Sequence, residues 1–150
     1  MPTTISITPF LTFEHQAEQA AKLYTAIFGG KIIDVTHYGD GAPRPKGSVM
    51  TVTFELLGQR YVALNGGPYF KFSEGFSLSV NCATQAEIDN YWGKLADGGE
   101  EGPCGWLKDR FGLSWQVVPA NIGELLSKPA AMQAMMTMKK LIIADLVAAH

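Results

Sequence analysis

The chain writes one pattern twice. Gln16-Ala17-Glu18 recurs as Gln85-Ala86-Glu87, and Gly29-Gly30 recurs as Gly98-Gly99, both at the same offset. A three-residue match alone is weak, but the order of signals around it is preserved. In each copy an alternating apolar segment comes first, Ile5 to Phe13 and then Phe76 to Cys82, which predicts a half-buried strand. Residues at helical spacing follow: Ala17, Ala20, Ala21, Tyr24 and Phe28, then Ile88, Tyr91, Trp92 and Leu95. The paired glycines close each helix, where a left-handed residue is wanted. Thr84, with Glu87 three residues on, predicts a capping box for the second helix. Such a chain is constrained to fold as two similar modules.

Strand-like runs follow each helix. In the first copy they are Lys31 to His37, Gly47 to Leu56 and Gln59 to Asn65, with a loop at Gly39 to Lys46 read from its glycines and prolines. In the second they are Gly99 to Gly102, Gly105 to Lys108 and Leu113 to Val118. Asp109-Arg110-Phe111-Gly112 reads as the hairpin turn between the last two. Each module is therefore strand, helix, three strands, over residues 1–68 and 69–120. Residues 121–150 differ: Gly123 and Pro129 punctuate an alanine- and methionine-rich stretch expected to form two or three short helices. Its run from Ala130 to Met138 is apolar and adaptable, so it is expected to cover a sheet face or a subunit contact. The expected fold class is α+β, one domain of two βαβββ modules plus short C-terminal helices.

Composition excludes several partners. A net charge of −2 and no run of Lys or Arg argue against nucleic acid, since phosphate binding needs clustered positive charge. No apolar run approaches the roughly 18–20 residues that cross a bilayer, so no membrane partner is expected. The first residues lack a basic stretch followed by an apolar one, so no secretion signal is read. Cys82 and Cys104 are too few for a disulfide framework, and a reducing cytoplasmic location is expected.

Alternation assigns faces. Ile5, Ile7, Leu11 and Phe13, then Phe76, Leu78 and Val80, then Leu113, Trp115 and Val117 are expected to face the helices. The other face carries Ser6, Thr8, Phe10 and Thr12, then Ser77, Ser79 and Asn81, then Ser114 and Gln116. Hydroxyls and amides there meet either solvent or the contents of a cavity, and residue types alone favour an ordinary solvated face. Trp106, Phe70 and Phe72 can stack on a flat ligand or fill a core. Cys104 has no basic neighbour in sequence to activate it, and His37 ends a strand, so neither is assigned a role.

Ile7-Thr8-Pro9-Phe10-Leu11, Gly47 to Val52, Leu64-Asn65-Gly66-Gly67-Pro68 and Cys104 to Asp109 carry a resemblance. The chain resembles the PhnB-like branch of the vicinal oxygen chelate superfamily of glyoxalases, extradiol dioxygenases and bleomycin-resistance proteins. That branch often bears a demethylubiquinone methyltransferase label. The resemblance implies modules that curl a mixed sheet around an open cup, and a homodimer. In metal-using members the ligands come from the first and fourth strand of each module. Carried over by strand and turn landmarks, those positions are Thr8, Ala63 (or Asn65), Gly75 (or Ser77) and Gln116. None supplies the imidazole or carboxylate that holds a divalent metal, so no metal is expected.

No cofactor is expected either. An adenosylmethionine site of the common type needs a glycine-rich turn after the first strand, and here that strand runs into Glu14-His15-Gln16. Gly39-Asp40-Gly41 lacks the strand-to-helix context, so methyl transfer is not expected. The expected function is metal-independent binding of an unidentified small molecule by a homodimer, with Phe10, Thr12, Asn65, Trp106, Ser114 and Gln116 touching the ligand. The alternative is a glyoxalase-class, metal-dependent lyase or isomerase.

Overall fold

The computed structural model describes residues 4–150. The chain divides into two compact units, Met1–Lys71 and Phe72–His150. The first runs β1 (Phe10–Phe13), α1 (Ala17–Phe28), β2 (Lys31–His37), β3 (Val49–Leu56) and β4 (Gln59–Asn65). The second runs β5 (Ser77–Cys82), α2 (Gln85–Ala96), β6 (Glu100–Glu101), β7 (Trp106–Lys108) and β8 (Ser114–Pro119). Three short helices follow: α3 (Ile122–Leu125), α4 (Pro129–Met135) and α5 (Ile143–Ala148). The fold is α+β, with the expected βαβββ order in each unit.

The sheets share one topology. In the first unit the order is β1-β4-β3-β2, and in the second β5-β8-β7-β6. The first strand of each unit pairs in parallel with the last, and the remaining pairs are antiparallel. Leu11, Phe13, Ala63, Val52 and Phe54 form the buried face of the first sheet, with Ala17, Ala20, Ala21, Tyr24 and Phe28 of α1 also buried. Tyr24 and Phe54 rings meet at 6.1 Å. In the second unit Leu107, Trp115 and Val117 are buried, with Ile88, Trp92 and Leu95 of α2. Fully burying a side chain of such size contributes about 1.5–3 kcal/mol, so these faces hold the helices in place.

The duplicated glycines share positive φ at Gly29 and Gly98, 67° and 78°, but only Gly29 is the left-handed C-cap expected of both. Helix α2 ends on Asp97 in extended conformation, and Gly98 lies one residue beyond it, in a turn closed by Gly99 N to Ala96 O at 2.9 Å. Gly30 and Gly99 are needed for space: a Cβ on Gly30 would lie 2.1 Å from the Glu55 carbonyl oxygen, and one on Gly99 2.1 Å from that of Lys108. The helix starts differ. Thr84 Oγ1 accepts from Glu87 N at 3.2 Å, and Glu87 Oε1 accepts from Thr84 N at 3.2 Å, completing the expected capping box. For α1 the side chain of Gln16 makes no cap; Asn65 Oδ1 of β4 accepts from Ala17 N at 2.9 Å instead.

One strand is shorter than its pattern. The segment expected from Ile5 to Phe13 is a strand only from Phe10, and Ile5 and Ile7 are 99% and 92% exposed instead of buried. Pro9 has no N–H to give the ladder. Its carbonyl accepts from Val62 N, and β4 itself starts at Gln59, so the residues before Pro9 soon run past their partner. Phe76 likewise lies outside β5 and is exposed.

The C-terminal segment belongs to the second unit. Cys104 N donates to Met138 O and Gly105 N to Lys139 O, both at 2.8 Å. Gln85 Nε2 donates to Leu141 O at 2.9 Å while its Oε1 accepts from Ile143 N at 2.8 Å. Lys140 pairs with Asp89 at 2.8 Å, and that contact holds the Asp89 carboxyl below the usual range. Leu141 is fully buried against Gly105.

Candidate functional site

The open face of the second sheet collects most of the expected site. Register sets Ser77 opposite Ser114 and Ser79 opposite Gln116, with Trp106 and Lys108 opposite Gln116 and Ser114 on the other side. Because side chains alternate, these residues share the face turned away from α2. Gln116 Nε2 donates to Ser77 Oγ at 3.0 Å, and Ser79 Oγ donates to Asn81 Oδ1 at 3.2 Å. Trp106 and Gln116 are half-buried, and Ser114 is buried. A recess of about 100 Å³ opens beside them, lined by Trp106, Ser114, Lys108, Glu74, Glu101 and Pro103. Lys108 Nζ pairs with Glu74 at 2.9 Å, and that carboxylate raises the ammonium pKa. Lys108 was not among the expected contacts, although its spacing of two from Trp106 puts it on the same face.

In the first unit Phe10 and Thr12 share the open face with Val62 and Leu64. Phe70 joins them at the strand end: its ring edge and the Thr12 methyl both crowd Gly66. Asn65, expected beside them, lies on the opposite face, because it stands level with Phe13 in the β1–β4 register. Its amide is occupied there, accepting from Ala17 N and donating through Nδ2 to Val49 O at 3.0 Å. Ala63, the other carried-over position on β4, is fully buried on that same face. Thr8 lies outside any strand, and so does Gly75. None of these carried-over positions bears an imidazole or a carboxylate. Among the described residues no group of three or more His, Cys, Asp or Glu is placed to hold a metal ion.

The two cysteines differ in setting. Cys104 is half-buried at a positive φ of 60°. Cys82 is 2% exposed, and burial, with Glu87 adding to it, pushes its thiol up to about 11 from 9.0. At pH 8 a thiol reagent is expected to modify Cys104 in the folded protein and Cys82 only after unfolding, which mass spectrometry of labelled peptides reads directly. Since the folded pKa lies above the unfolded one, the neutral thiol's contribution to stability is full below pH 9.0 and is lost as pH rises through about 11.

A family model described as 3-demethylubiquinone-9 3-methyltransferase matches residues 5–118. The chain belongs to this family. Among solved structures, the PhnB-like family is represented by a Bacillus cereus protein described as a putative 3-demethylubiquinone-9 3-methyltransferase, PhnB protein. It is 34% identical, with 76% of this chain and 99% of that chain covered and a TM-score of 0.67. A Pseudomonas aeruginosa protein is 25% identical over 77% of this chain and 98% of its own, with a TM-score of 0.64. The fosfomycin resistance protein FosX from Mesorhizobium loti, 13% identical, shares the fold over 85% of this chain and all of its own, with a TM-score of 0.60. PhnB and FosX are vicinal oxygen chelate proteins, and the likeness to FosX is one of fold. A search of curated proteins found no match. No helix among the described residues is long and apolar enough to cross a membrane.

Proposed function

We propose that this PhnB-like protein is a metal-independent, small-molecule-binding homodimer whose ligand lies against Trp106, Ser114 and Gln116. The observation that carries the reading is the hydrogen bond from Gln116 to Ser77, which fixes an amide and a hydroxyl side by side on the open face of the second sheet. An amide and a hydroxyl offer a neutral ligand donors and acceptors, and the half-buried Trp106 offers a flat apolar wall. A FosX structure from Listeria monocytogenes is described with Mn(II), at 17% identity and a TM-score of 0.53, a likeness of fold. The donor chemistry here favours the metal-free reading over a glyoxalase-class enzyme. Methyl transfer is disfavoured because β1 passes into α1 through Glu14-His15-Gln16, with no glycine turn to seat a nucleotide cofactor. Dimerisation is supported by apolar side chains left exposed, Met132 and Met136 of the C-terminal stretch together with Ile5 and Ile7.

Protein purified without chelator provides the test. Light scattering is expected to give a dimer, elemental analysis no stoichiometric divalent metal, and native mass spectrometry an organic adduct. Gln116→Leu leaves the Ser77 hydroxyl and the ligand without their partner and is expected to weaken the adduct by about 1–3 kcal/mol with little change in folding. One manganese, nickel or zinc ion per chain would overturn the metal-independent reading.

A further inference from the structure

A second cavity, of about 330 Å³, lies in the first unit beside the start of α1 and the loop between β2 and β3. Arg44 and Glu18 both line it, together with His15, Tyr38 and Ser48. Both charged side chains are half-buried. Among the described residues neither forms an ion pair, with each other or with any other group. Opposite charges that line one cavity without pairing each offer a place to a ligand group of the other sign.

The loop holds Arg44 ready. Pro43 and Pro45 flank it, and a residue before proline is held out of the helical region. The loop base is closed by Tyr38 N to Ser48 O at 2.8 Å and Gly47 N to Tyr38 O at 2.7 Å. Ser48 Oγ donates to Pro45 O at 2.5 Å. The guanidinium lies on the backbone of Gly67: a Cβ built there would stand 3.0 Å from Arg44 Nη1. A fork fixed in this way loses little freedom on binding a planar carboxylate. Glu18 is carried by the first turn of α1, which Asn65 anchors through Ala17 N. We infer that this cavity binds a small zwitterion of the amino-acid type, its carboxylate on Arg44 and its ammonium on Glu18. None of the residues that line it belongs to the sheet face that carries Trp106 and Gln116.

The experiment titrates isotope-labelled full-length protein, followed by amide NMR, with L-leucine, N-acetyl-L-leucine and L-leucinamide. These present both charges, the carboxylate alone and the ammonium alone. Amides of Gln19, Ser48 and Val49 are expected to shift with millimolar L-leucine and to stay unmoved by the two singly charged analogues at equal concentration. Arg44→Gln and Glu18→Gln are each expected to weaken L-leucine binding about tenfold or more. Arg44→Lys, which keeps the charge and loses the fork, provides a second variant should Arg44→Gln disturb the loop, and is expected to weaken binding too. Absence of shifts with L-leucine, an equal response to N-acetyl-L-leucine, or variants that bind like the parent would overturn the assignment.

Discussion

Asp109→Ala is expected to destabilise the second unit by about 3–5 kcal/mol, since hydrogen bonds to a charged group contribute about 1.5–3 kcal/mol each and combine less than additively. The carboxylate is 3% exposed. Its Oδ1 accepts from Phe111 N at 2.8 Å and Leu113 N at 3.1 Å, and its Oδ2 from the Trp115 indole N–H at 2.8 Å. Alanine removes the acceptors and strands a buried indole donor together with two turn amides. Asp109→Asn keeps the oxygen that closes the turn but sets an NH₂ against the indole N–H, so a loss near half as large is expected. Trp92, Trp106 and Trp115, the three tryptophans of the chain, all lie in the second unit. Urea denaturation followed by tryptophan fluorescence therefore reads this unit. A loss below about 1 kcal/mol for the alanine variant, the size of one ordinary hydrogen bond, would show that the turn stands without its carboxylate.

Gly99→Ala is expected to be nearly as costly, about 3 kcal/mol, at the upper end of what overpacking a rigid site brings. The new methyl would sit 2.1 Å from the Lys108 carbonyl oxygen and 2.7 Å from the Asp109 carbonyl carbon, both backbone atoms that cannot rotate aside. Gly30→Ala meets the Glu55 carbonyl oxygen at the same 2.1 Å and should lose a similar amount in the first unit. Gly98→Ala faces only a positive φ and the flexible Arg110 side chain, and is expected to lose about 1–2 kcal/mol. Thermal melts of the three variants, followed by circular dichroism, check the order. A Gly98 variant less stable than the Gly99 variant would make conformation, not space, the reason for the glycine pair.

The repeat made the double glycine legible, but not the division of labour within it. Gly29 ends α1 in the left-handed region and Gly98 supplies the positive φ of the turn just past α2, both local matters, whereas Gly30 and Gly99 answer to carbonyls many residues away. The same distinction explains Asn65. Its alternation along β4 was read correctly; the error lay in which of the two faces turns toward the helix. That choice is fixed by Phe13 and Ala63 packing with α1, a tertiary fact. The shortened β1 was half visible, because Pro9 is in the sequence, while the place where β4 starts is a matter of pairing. In the second unit the short turn between β7 and β8 sets Trp106 beside Gln116 and leaves that register little freedom, whereas Ser77 joins them only through the non-local parallel pairing of β5 with β8. The cavity at Arg44 had no such signal: its loop showed in composition, and its contact with Gly67 is made only by the folded backbone.

Homology and foldedness end at different residues. The family match stops at 118, yet the side chain of Gln85 and the amides of Cys104 and Gly105 are completed by residues 138–143. A chain cut at residue 118 would keep the whole family match and lose the partners of four polar atoms on helix α2 and the approach to Trp106. The tail is thus the last piece of the second unit's wall, which reaches past the stretch that the family match covers.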